Sequence, residues 1–168
     1  SLDMARTRLH DAIDSLFHRA RGFKIEEIVF VVGNDFLNID KSSPFASTTK
    51  GTPQNNSVSA YEAYRYGRKL LVECINDLAQ KAPVRVVVIP GNHDEESMLH
   101  MGDALEALYE ETPHVTVDNS RPLMKGYVYG ECLLIFDHGH RVKNYKNLAS
   151  VISQRFREVW RSVKHIEV

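Results

Sequence analysis

Apolar positions along the chain follow two spacings. Within Thr7–Ala20, Leu9, Ile13, Leu16, Phe17 and Ala20 fall on one helical face, and Gly22 stands where a helix commonly ends. Ile28–Val32 is short, apolar and largely β-branched, which predicts a buried strand closed by Gly33. Residues 38–57 turn polar and predict a long loop, of a length that compact domains often keep for function. Ser59 and Glu62 have capping-box spacing and open a second helix, apolar at Ala63, Leu70, Leu71, Cys74, Ile75 and Leu78. Pro83 precedes a second strand, Val84–Ile89, and a third helix carries Met98, Met101, Leu105, Leu108 and Tyr109. His114–Val117, Tyr127–Tyr129 and Cys132–Phe136 predict strands, the last two joined by a hairpin turn at Gly130-Glu131. A helix over about 146–161, apolar at Leu148, Val151, Ile152, Phe156 and Val159, precedes a strand in Ser162–Val168.

Helix and strand alternate in the first half, which implies parallel strands with helical crossovers. The second half adds hairpin pairing, so the class is α/β with a mixed sheet or two sheets. The 168 residues are a single-domain length, and 43% hydrophobic with 26% charged residues is ordinary globular composition. A net charge of −1 gives no general attraction to nucleic acid or anionic membrane, although a local basic patch is compatible with it. No apolar run approaches the ~20 residues that span a bilayer, and no signal-peptide pattern opens the chain. Cys74 and Cys132 read as small core residues. The expected setting is cytoplasmic and reducing, with no membrane partner.

Three strands end in polar clusters of one chemical kind. The first gives Gly33-Asn34-Asp35 with Asn38 three residues on, the second Gly91-Asn92-His93-Asp94, the third Asp137-His138-Gly139-His140. In α/β folds ligands gather outside the carboxyl ends of strands. If the three strands share a sheet, Asp35, Asn92, His138 and His140 supply oxygen and imidazole donors around one point. Such a mixed set suits Mn²⁺, Fe or Zn²⁺ better than an all-oxygen or thiolate site does. Taken singly, each cluster also fits a capping turn, because Asn and Asp favour turns anyway. Three in register call for another explanation.

Gly91-Asn92-His93-Asp94 after an apolar strand resembles the GNH[D/E] signature of calcineurin-like metallophosphoesterases. The resemblance implies a layered α/β sandwich with mixed sheets flanked by helices. It implies two divalent metal ions, Mn²⁺ first and Fe or Zn²⁺ as alternatives, and hydrolysis of a phosphoester by a metal-activated water. Asp35 resembles the bridging aspartate; Asn34 directly follows the glycine, but an amide lacks the charge a bridge between cations needs. Asn38 stands where a further ligand is often found, and Asn92 resembles a ligand of the second metal. His93 is similar to the histidine that faces the scissile phosphate, with Asp94 orienting its imidazole. His138 resembles the isolated metal-binding histidine, with His140 as a further candidate ligand. Residues 47–56 are similar to a loop of phage- and prophage-type members, and a DNA-repair-exonuclease-like relationship is the other affiliation implied. By position, Lys50 with the neighbouring threonine hydroxyls, and Arg141 with Lys143, are candidate contacts to substrate phosphate.

Two motifs of the family are missing. No Asp-x-His precedes Gly33, and residues 139–142 read Gly-His-Arg-Val where Gly-His-x-His would close the site. The expectation is a single partial domain over 1–168, an internal fragment incomplete at both ends. Phosphomonoester, phosphodiester and nucleic acid all remain open as substrates. The competing reading is a non-catalytic scaffold or binding domain of the same fold. A cysteine-based structural zinc site is disfavoured, since neither cysteine lies near the clusters.

Overall fold

The computed structural model describes residues 2–142 and 144–168. The elements in chain order are α1 (Leu2–Arg19), β1 (Ile28–Gly33), α2 (Ala60–Ala79), β2 (Val84–Ile89), α3 (Glu95–Tyr109), β3 (Val115–Asp118), β4 (Lys125–Tyr129), β5 (Cys132–Phe136), α4 (Leu148–Arg155) and β6 (His165–Glu167). They build a mixed α/β structure with two three-stranded sheets rather than one. The first has the order β1-β2-β3, all parallel; the second has the order β4-β5-β6, antiparallel then parallel.

Side-chain alternation decides what covers each sheet. In the first, the register pairs Ile28 with Val84, Phe30 with Val86 and Val32 with Val88, so these side chains share a face. They pack with Leu71, Ile75, Met98, Met101 and Leu105 of α2 and α3 in the larger core. The opposite face carries Arg85, which lies 3.4 Å from Glu27 and 5.6 Å above the Tyr127 ring of β4. The Tyr127 hydroxyl donates to the same Glu27 carboxylate. The second sheet therefore approaches the first from the side away from α2 and α3. Its far face, Leu133 and Ile135, packs with Met124 and with Ile152 of α4.

Several sequence expectations are revised. The predicted face of α2 is buried at Leu70, Leu71, Cys74, Ile75 and Leu78. α1 buries no residue fully; Ile13 and Phe17 only reach the core edge, and Leu16 is 64% exposed. Leu108 of α3 is likewise 55% exposed. The last helix stops at Arg155, and Phe156, Val159 and Trp160 pack on the second core from the turns that follow. Among the described residues no helix is long and apolar enough to cross a membrane.

Lys125, only 4% exposed, joins the two sheets. Its Nζ donates to the Asp118 carbonyl at 2.6 Å and to the Asp118 carboxylate at 3.1 Å. Burial pulls the Lys125 pKa down against the pull of that carboxylate. Lys125→Met keeps the aliphatic stem and removes both bonds. It is expected to lower stability by about 1–3 kcal/mol, seen as a lower urea midpoint with unchanged slope. An unchanged midpoint would show that the pair contributes nothing.

Candidate active site at the joined strand ends

β1 and β2 run in parallel register to their ends, with Gly33 opposite Ile89. Gly33 has φ 118°, and a Cβ there would sit 2.1 Å from the Ile89 carbonyl oxygen. Asn34 and Asp35 follow at φ 63° and 62°, the left-handed region that Asn and Asp tolerate best among residues with a side chain. This bend turns the Asp35 carboxylate toward the β2 loop. A Cβ on Gly91 would lie 1.9 Å from Asp35 Oδ1, so the approach needs glycine there. Oδ1 accepts the His93 backbone N–H at 2.9 Å.

Asp94 is 0% exposed, and its two oxygens bind the two loops to each other. Oδ2 accepts from Leu37 N–H at 2.8 Å and Oδ1 from Gly91 N–H at 3.0 Å. Burial pushes its pKa to about 6, against those two bonds, and the nearby Asp35 and Asp40 push the same way. The expected pairing of Asp94 with the His93 imidazole is therefore replaced. His93 Nδ1 lies 3.2 Å from the Asn38 carbonyl oxygen, which fixes Nδ1 as the protonated donor and leaves Nε2 for other chemistry.

With its carboxylate occupied, Asp94 makes no side-chain cap for α3. Asp40 and Thr49 of the long loop cap the helix instead. Glu95 N–H donates to Thr49 Oγ1 at 3.0 Å, Glu96 N–H to Asp40 Oδ2 at 3.0 Å and Ser97 N–H to Asp40 Oδ1 at 2.8 Å. Burial alone would raise the Asp40 pKa, but the hydrogen bonds from Ser97, Thr49 and Glu96 prevail and lower it. Sequence reasoning missed this cap because local capping signals look three residues along the chain, not fifty.

The third strand end belongs to the other sheet, yet it arrives at the same place. His138 Nε2 lies 3.1 Å from Asp35 Oδ2, and His138 Nδ1 lies 2.8 Å from His140 Nδ1. Arg141 Nε donates to His140 Nε2 at 3.3 Å, and its terminal nitrogen reaches Glu95 Oε1 at 2.7 Å and Oε2 at 2.9 Å. Donor logic gives one consistent assignment of protons with both imidazoles neutral. Arginine can only donate, so His140 Nε2 is the acceptor and His140 Nδ1 carries the proton. His138 then accepts at Nδ1 and donates from Nε2 to Asp35. Burial first, then the neighbouring His138 and Arg141, lowers the His140 pKa, in line with a neutral ring; Lys50 adds to the effect and Glu95 opposes it.

The structure thus brings Asp35, His93, Asp94, His138 and His140 together, with half-buried Asn92 on the same turn. Other candidates are placed differently. The Asn38 amide donates to Asn56 Oδ1 at 3.0 Å, so only its carbonyl reaches His93. Lys50 is exposed, and its charge reaches His140 without a direct bond. Two of the three threonine hydroxyls are committed within the loop, Thr49 to Asp40 and Thr48 to the Thr52 N–H, while Thr52 is exposed. Arg141 is held by Glu95 and His140, and Lys143 lies outside the described residues.

Among the described residues no group of three or more His, Cys, Asp and Glu side chains is gathered as a metal cage. One pair nevertheless fits an ion. Two ligands each ~2.1 Å from one cation, at roughly 90–110°, stand roughly 3.0–3.4 Å apart, and Asp35 Oδ2 and His138 Nε2 are 3.1 Å apart. His140 does not fit, because both of its nitrogens are engaged, one of them by a guanidinium. No family model matches the chain, and no curated protein or solved structure does either.

Asp94→Asn retains one acceptor but turns an N–H donor toward the other backbone donor, a loss of about 1–3 kcal/mol. The wild-type carboxyl moves from an ordinary 3.8 to about 6 on folding, so the folded chain holds its proton more tightly than the unfolded chain. Its contribution is greatest below pH ~4 and is lost as pH rises through ~6. The stability gap between wild type and Asp94→Asn is therefore expected to narrow from pH 4 to 7 in urea titrations. A gap that widens would reverse the assignment.

Proposed function

We propose that the chain is a metallophosphoesterase-like domain that hydrolyses phosphoesters with divalent cations held at the joined strand ends. The observation that carries this reading is the Asp35–His138 pair, 3.1 Å apart, beside the turn that presents Asn92 and His93. Asp35 and His138 would hold a cation, with the Asn92 amide oxygen as the next donor along the turn. A cation there supplies charge stabilisation for a phosphoryl group and a water activated near neutral pH, Mn²⁺ being the first choice for this oxygen-and-imidazole set. The layering of helices, two sheets and a further helix supports the family reading, and two free cysteines support a reducing, cytoplasmic setting.

His93 is the proton donor of this reading. Its Nδ1–H is held by the Asn38 carbonyl, so donation is by the imidazolium form, which passes the Nε2 proton to the leaving oxygen and is left with Nδ1–H. Asp35 holds the backbone of the same residue through His93 N–H, which fixes the imidazole relative to the cation pair. Asp94 positions both through the backbone and touches neither substrate nor imidazole.

A second reading, a non-catalytic domain of the same fold, is favoured by one observation. The chain of bonds from Arg141 through His140 and His138 to Asp35 satisfies itself with protons alone.

Turnover of bis-p-nitrophenyl phosphate and p-nitrophenyl phosphate with Mn²⁺ by the full-length gene product separates the two. The expected result is Mn²⁺-dependent hydrolysis that His93→Ala lowers about 10²–10⁴-fold in kcat, and loss of Mn²⁺ binding in Asp35→Asn. Absence of both turnover and Mn²⁺ binding in the wild type would leave the scaffold reading.

A further inference from the structure

A cleft of about 580 Å³ opens beside the histidine relay, and three arginines line it: Arg121, Arg141 and Arg155. Among the described residues Asp137 is the one carboxylate lining it, and its Oδ1 is already occupied by the Gly139 N–H. Arg141 is held by Glu95 and His140, so it marks the side where the cleft meets the relay. The other two arginines have capacity to spare. Among the described residues Arg121 makes no hydrogen bond or ion pair, and it is exposed. Arg155 is fixed by its Nε, which donates to the Met124 carbonyl at 2.8 Å, and its terminal nitrogens have no partner among the described residues.

A chain of net charge −1 thus gathers in one cleft, beside Arg141, two guanidinium groups with nitrogens unpartnered among the described residues. Guanidinium forks match phosphate oxygens in geometry and charge, and a concave wall focuses their field. Among the described residues no aromatic side chain lines the cleft, so a bound strand would be held chiefly through its phosphates, independently of sequence. Arg141 lines the cleft and donates to His140, so the cleft meets the site through that side chain. A simple phosphomonoester has nothing to place in it, whereas an oligonucleotide carries a further phosphate beside each scissile one.

We propose that this cleft is a subsite for a phosphate flanking the scissile one, which makes the substrate a single-stranded oligonucleotide. The substrate assignment rests on the phosphoesterase reading; binding by the cleft does not.

The test is fluorescence anisotropy of a short labelled oligothymidylate with the wild-type protein and Arg121→Ala, in EDTA, across a salt series. Wild-type binding is expected to weaken with salt, and Arg121→Ala is expected to reduce the log–log slope by about 0.7, the loss of one single-strand phosphate contact. Arg121→Lys keeps the charge and is expected to restore most of that slope. No binding by the wild type, an unchanged slope in Arg121→Ala, or equal affinity for a poly-glutamate peptide of matched charge would each overturn the subsite. Wild-type turnover of bis-p-nitrophenyl phosphate reads the strand-end site alone. Turnover without oligonucleotide binding removes the subsite and leaves the phosphoesterase; Arg121-dependent binding without turnover does the reverse.

Discussion

One buried carboxylate organises the site. Parallel strands that stop side by side leave backbone N–H groups at their ends with no ladder partner, and buried donors must find one. Here Leu37 and Gly91 both donate to Asp94, the residue immediately ahead of α3. Two loops and a helix start are thereby tied to a single side chain, at the cost of burying it. The choice has a consequence. Because Asp94 faces the strand ends, the first N–H groups of α3 need acceptors from elsewhere, and the long loop supplies them through Asp40 and Thr49. That docking brings the Asn38 carbonyl against His93. The orientation of the imidazole thus follows, two steps removed, from the burial of Asp94.

The other half of the site is organised by direction rather than burial. Arg141, His140, His138 and Asp35 form a series in which each donor has one acceptor, beginning at a residue that can only donate and ending at one that, ionised, can only accept. Such a series fixes the tautomers of both histidines without further contacts. It also separates their roles. The His138 proton on Nε2 is the one that a cation beside Asp35 would displace, while His140 is pinned as the second residue of the series. The short Gly139 turn makes this possible, since it puts the two imidazoles 4.9 Å apart with Nδ1 facing Nδ1.

The sequence carried the chemistry of the site further than its architecture. Polar clusters at Asp35, at Asn92–Asp94 and at His138–His140 were legible because each follows an apolar strand and a tight turn. The face of α2 was legible because its periodicity extends over 20 residues. The assumption that converging ends imply one sheet did not hold: β5 lies in the second sheet, and it is sheet-on-sheet packing that brings His138 to Asp35. Nothing in the pattern distinguishes these cases, because an apolar strand buried on both faces looks the same in either. The partners of Asp94 and Asp40 were illegible for a different reason. Asp94 reaches Leu37 across 57 positions and Asp40 reaches Ser97 across 57, and propensity describes only near neighbours. The exposure of Leu16 follows from the same limit, since an amphipathic stripe shows which face is apolar but not whether anything covers all of it.

Composition was most misleading in residues 38–57. Serine, threonine, lysine, asparagine and glycine suggest a solvated loop whose hydroxyls are free for a ligand. Instead Ile39, Ser47 and Thr48 are buried, Lys41 donates to the Thr49 carbonyl, and Ser47 pairs with Lys41 and Pro53. The polar groups are spent on the loop's own backbone and on the start of α3, so the loop is a wall with little left to offer an anion. In the cleft, Arg121 and the terminal nitrogens of Arg155 have no partner among the described residues. Candidate ligand contacts are better read from unsatisfied donors than from polar residue types, because a hydroxyl that already donates and accepts has no capacity for a phosphate, whereas an unpartnered guanidinium does. By that criterion the polar loop and the arginine cleft exchange the roles that their sequences suggest.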